Sequence, residues 1–210
     1  MVDTSCVESL RKRLGELERQ EALCYRAIQE MRPEFCHSIE LADLSAVELG
    51  AHLQSNCVMY AFDLRRSALF SAISDGEKIR RQYPSRSKVP DYCIFADTEF
   101  LDYCIDNRLI SAISGREPES GDLVVYSDTE RCHHIGKKIL HGRIRSKWGP
   151  LEVLEHKLSE VPDFFGNDVQ YFESVRHEQS RDFFVAYARS VIENNPETKS
   201  ILDNIINDYK

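Results

Sequence analysis

Residues 121–156 carry four short segments, "DLVVYS", "HIGKKIL", "GRIRSKW" and "LEVLEH", rich in strand-forming residues and separated by turn residues or tight glycines. This run constrains the chain most, because strands joined by such short connections pair as antiparallel neighbours. Gly142 between the second and third segments predicts a hairpin, and "VQYFESV" at 169–175 reads as a further strand. Either side of this block the pattern is helical. Leu10, Leu14, Leu17, Cys24, Ile28 and Met31 recur in steps of three and four, with Glu21 interrupting, and predict one long helix over 4–31 closed by Pro33. Short helices follow at 41–50, 55–72 and 97–110, with a two-proline loop at 82–92. Helices return at 178–194 and 198–209, broken at "NNPE". Helices, then a strand meander, then helices define an α+β chain. It divides into a helical extension over 1–40, a central domain over 41–176 and C-terminal helices over 177–210.

Several function classes fall away on composition. The net charge is −8 over 210 residues, which leaves no cationic excess for binding nucleic acid. The basic stretch "EKIRRQYPSRSKVP" at 77–90 reads as a solvated loop. No run approaches the ~20 apolar residues of a membrane helix, and the N-terminus lacks the apolar run of a signal peptide. The seven cysteines are odd in number and irregular in spacing, with no CxxC pair. A reducing, cytoplasmic setting is the expectation.

Two stretches carry chemistry. In "LQSNCVMYAFDL", Cys57 follows a capping residue, Ser55 or Asn56, and opens an apolar helix. Backbone N–H groups and the dipole at a helix start favour the thiolate, yet a buried structural thiol has the same local sequence. Some 75 residues later, "GDLVVYSDTERCHHIGKKIL" sets His133 and His134 at the start of a strand, where alternation points them to opposite faces. Only one of them can face the helix. Cys132, His133, His134, His141 and His156 lack the paired spacing of a zinc site, so no metal is expected. Asp122 reads as a turn residue, and Trp148 as core or as groove lining.

Cys57, "GDLVVY" at 121–126 and "HIG" at 134–136, in that order, resemble the NlpC-type and CHAP-like branch of papain-like cysteine peptidases and amidases. "SKWG" after the histidine strand is similar to a tail in poorly characterised relatives. The resemblance implies a papain-like core with a nucleophile helix packed on an antiparallel sheet. It implies Cys57 as nucleophile, His134 as base and a peptide, isopeptide or peptidoglycan-type amide as substrate, without a cofactor. Bacterial cell-wall peptides are the commonest substrate class it suggests. The histidine-orienting residue of the family has no counterpart on the next strand; Ser146, or Glu155 beyond it, are the available substitutes. Asn56, His133 and Trp148 would flank the substrate. Set against this stands a papain-like module without turnover, binding a protein partner through its helical extensions. The stripe on the N-terminal helix fits either packing on the domain or pairing with a second copy.

Overall fold

The computed structural model describes residues 4–20, 22–45, 55–74, 94–148, 152–192 and 196–209. Strands β1 (Glu40–Leu41), β2 (Leu123–Ser127), β3 (Cys132–Lys138), β4 (Ile144–Lys147), β5 (Val153–His156) and β6 (Asp168–Phe172) form a six-stranded sheet in the order β1-β5-β4-β3-β2-β6. Every pairing in it is antiparallel. With helices α1 (Thr4–Arg19), α2 (Tyr25–Glu30), α3 (Arg32–Phe35), α4 (Cys57–Ala61), α5 (Ala68–Ser74), α6 (Thr98–Asp106), α7 (His177–Val191) and α8 (Pro196–Asp208), the chain is α+β.

The centre of the sheet is buried on both faces, which is why "LVVY" in β2 is continuously apolar and does not alternate. Leu123 and Val125 of β2 and Ile135 of β3 enter one core, covered by α4, α5, α6, α7 and α8. Val124 and Tyr126 enter a second core with Ile144, Leu154, Trp148 and Phe165. The N-terminal segment roofs that second core: Leu10 and Leu14 of α1 are 2% and 0% exposed there. The leucines of the α1 stripe thus pack on its own chain. Arg11 fixes the helix further by donating to the Gly166 carbonyl at 2.6 Å. Gly15 lies so close to Asp163 that an added Cβ would sit 2.0 Å from its Oδ1.

Local structure departs from the sequence expectation at three places. The predicted helix over 4–31 is two helices, α1 ending at Arg19 and α2 opening at Tyr25. Cys24 is extended (φ −146°, ψ 162°), and its sulfur caps α2 by accepting from the Ala27 N–H at 3.5 Å. Pro33 does not end a helix; it stands in the first turn of α3, where its missing N–H costs nothing. The predicted helix over 55–72 is cut at Asp63, whose φ of 52° is left-handed. Its carboxylate takes an ion pair from Lys137 of β3 at 2.8 Å, which ties the kink to the sheet. Of the helix expected over 41–50, residue 41 is in strand β1 and 46–50 lie outside the described residues, as do the loop at 82–92 and the basic stretch at 77–90. The break expected at "NNPE" falls partly outside them too, with α8 opening at Pro196. Among the described residues, no helix is long and apolar enough to cross a membrane.

Candidate functional site

Helix α4 lies across β3 and β4. Asn56 is its N-cap: Oδ1 accepts from the Met59 N–H at 2.8 Å, and Nδ2 donates to the Ala96 carbonyl at 2.9 Å. Both ends of that side chain are committed to holding the helix start, so Asn56 acts as a scaffold residue. Cys57 is a free, partly buried thiol packed against the core beneath α4. Burial pushes the thiol above its ordinary pKa. Backbone hydrogen bonding at Ile135, Val58 and Cys57 itself pulls the other way without prevailing, and the Asp97 carboxylate adds to the rise. The thiolate expected from helix-dipole stabilisation is therefore not favoured, and a helix of five residues offers little dipole to favour it.

His134 points away from α4. Its ring stacks on Phe165 (centroids 3.9 Å apart, planes 8° from parallel) and lies 5.8 Å from the Tyr126 ring. Both neighbours belong to the second core, on the other face of the sheet from Cys57. His134 is 2% exposed, and burial, with His156 nearby, holds its pKa well below the ordinary histidine range. Its Nε2 has no hydrogen-bond partner among the described residues. The expected Cys57–His134 pair is thus not assembled: β3 alternates, and the parity that puts Ile135 under α4 turns His134 to the opposite side. The small residue beside it makes no room for substrate either. A Cβ on Gly136 would meet Ile144 Cγ2 at 2.8 Å and Ser146 Cβ at 2.9 Å, so the vacancy is filled by β4.

Ser146 is equally occupied. Trp148 Nε1 donates to Ser146 Oγ at 2.9 Å, and Oγ lies 2.9 Å from His156 Nε2. His156 Nδ1 faces the Lys157 carbonyl oxygen at 2.8 Å. A carbonyl only accepts, so Nδ1 carries the proton, Nε2 accepts, and the Ser146 hydroxyl donates to it. Every polar atom of this chain has a partner of the right kind. Although a serine hydroxyl bonded to an imidazole has the form of a nucleophile–base pair, Ser146 and His156 are each 0% exposed. Neither is open to a substrate carbonyl. Trp148, 2% exposed, is core and not groove lining. Glu155 lies on the α4 face, where Arg145 Nε donates to it at 2.9 Å; it does not orient an imidazole.

His133 stands at an irregularity of β3. Ser127 pairs with Cys132 and Tyr126 with His134, so His133 is the extra residue of a β-bulge. Its Nε2 lies 2.5 Å from Asp128 Oδ2. Hydrogen bonding from His133, then from the backbone N–H groups of Glu130 and Arg131, lowers the Asp128 carboxyl to about 2. Asp128 did not stand out in the sequence; its signal is the Asx-turn chemistry of "SDTER" before the strand. Asp122, by contrast, is the turn residue expected, accepting from Arg116, Glu119 and Ser174. No group of three or more His, Cys, Asp and Glu side chains suited to a metal occurs among the described residues.

A family model described as a domain of unknown function, DUF7689, matches residues 51–173, more than half of the chain. Neither the curated proteins nor the solved structures yield a match.

Proposed function

We propose, from the premise that the chain belongs to the DUF7689 family, that it is an interaction module on a papain-like, NlpC-type scaffold without hydrolytic turnover. The observation that carries this reading is the sheet standing between Cys57 and His134. A thiol kept protonated by burial, with that imidazole out of reach, has no route to the thiolate that attacks an amide. Binding then falls to the helical additions. Beside α5, α7 and α8 a cavity of about 450 Å³ is lined by Leu69, Val185, Ala186, Ile206 and Tyr209 together with Arg181, Asp182 and Arg189. A lining of apolar and charged side chains suits a protein partner. Alkylation of the folded protein with iodoacetamide near neutral pH tests the first half: Cys57 should react more slowly than the exposed Cys24 and Cys36. Cys57 reacting fastest would overturn it. Selection of a displayed random-peptide library on the folded chain tests the second; binders should be lost on Val185→Asp.

The His133–Asp128 pair favours a second reading, a thiol amide hydrolase using His133 as base. His133 lies on the same strand as Ile135, whose backbone touches the Cys57 thiol. Under this reading the alkylation rate of Cys57 falls in His133→Ala. A rate indifferent to His133 sinks it.

A further inference from the structure

Cys6 on α1 and Cys36, the residue that ends α3, line one cavity of about 390 Å³ together with Phe35, Lys157 and Glu160. The Cys6 thiol donates to the carbonyl oxygen of Phe35 at 3.7 Å. Phe35 directly precedes Cys36, and planar peptide geometry holds a carbonyl oxygen about 2.8 Å from the following Cα. Cys6 Sγ therefore lies within roughly 6.5 Å of the Cys36 Cα. Disulfide-bonded cysteines place their Cα atoms about 4.4–6.8 Å apart, so closing the bond takes rotation of both side chains together with an approach of α1 to the end of α3. Cys36 is exposed and Cys6 partly so, and both are free thiols. Neither is part of the α4 site.

We infer that Cys6 and Cys36 are a reversible redox pair that closes to a disulfide and clamps α1 to the end of α3. The oxidant is a small-molecule disulfide of the glutathione class. The Cys36 thiolate, the more exposed, attacks one sulfur of that disulfide; its S–S bond breaks and one small thiol leaves with a proton. The Cys6 thiolate then attacks the Cys36 sulfur in the mixed disulfide, forming the Cys6–Cys36 bond and releasing the second small thiol. Two protein thiols are oxidised and one small disulfide is reduced to two thiols. Because α1 roofs the second core, the bond sets how firmly that roof is held, without touching the sheet. The odd, irregular cysteine count that argues against a structural disulfide framework is compatible with one switchable pair.

The test is equilibration of the folded protein with oxidised glutathione, followed by peptide mapping and amide hydrogen exchange. The expected product is an intramolecular Cys6–Cys36 cross-link, reversed by dithiothreitol, with slower exchange across α1. In Cys6→Ser the resolving thiol is gone, so Cys36 should retain bound glutathione. Three results overturn the inference: a stable glutathione adduct on Cys36 in the unaltered protein, a cross-link to Cys24 instead, or no reaction at either thiol. An oxidised protein whose α1 exchanges as fast as the reduced one overturns the clamp.

Discussion

Replacing Ser146 with alanine separates a structural hydroxyl from an orienting catalytic one. The change removes an oxygen that serves two buried groups at once, the Trp148 N–H at 2.9 Å and His156 Nε2 at 2.9 Å. Alanine leaves a donor and an acceptor without partners in a site that is fully buried. Each orphaned group costs about 1–3 kcal/mol, so the loss should be about 2–6 kcal/mol. That is a large fraction of a typical domain stability of about 5–15 kcal/mol. Urea unfolding followed by tryptophan fluorescence reads it directly, because Trp148 is the only tryptophan in the chain and its indole makes the affected bond. The midpoint should fall with the slope unchanged, and the native emission should shift. Combining Ser146→Ala with Trp148→Phe removes the indole donor and its acceptor together, so the double change, followed by circular dichroism because it has no tryptophan, should cost less than the two singles added. A single-variant loss below about 0.5 kcal/mol with unaltered emission would refute the hydrogen-bond chain as a support of the core.

Acid should destabilise the fold through its buried imidazoles. Burial holds His156 at about 4 in the folded state, against an ordinary value of 6.5. The unfolded chain thus binds the extra proton between those pH values, and stability falls as pH drops through that window, by roughly 3 kcal/mol for His156 alone. His134 and His37, both lowered by burial, add in the same direction. Equal urea midpoints at pH 7 and pH 5 would contradict this. Gly136→Ala should cost about 1–3 kcal/mol by overpacking, since the Arg145 carbonyl at 3.0 Å is backbone and cannot turn aside; thermal melts check it. Asn56→Ala should cost about 1 kcal/mol through the lost cap of α4, read by the same melts, and an unchanged midpoint would remove Asn56 from the helix start.

The α+β class and all four strand segments of the 121–156 block were legible, because turn residues and strand formers mark such elements locally. A period of two predicts that His133 and His134 oppose each other, and the bulge at His133 interrupts that period. The face that His134 takes was not legible, since β2 and β3 are buried on both sides and "LVVY" carries no alternation to name a solvent face. The trio of Ser146, Trp148 and His156 was illegible for another reason. It depends on the cross-strand register that sets Ile144 opposite His156 and Ser146 opposite Leu154, and register is a property of two strands together. Cys57 stays at a helix start as read, but burial outweighs the dipole there, and burial is settled by segments far away in sequence.

The roof formed by α1 bears on what counts as a unit of inheritance in this family. Leu10, Leu14, Leu17 and Ile28 sit on Trp148, Leu154 and Phe165, yet the four leucine and isoleucine positions precede residue 51, where the shared region begins. The stretch recognised by similarity is consequently not closed in itself: cut there, it would uncover the part of the second core that α1 and α2 shield from water.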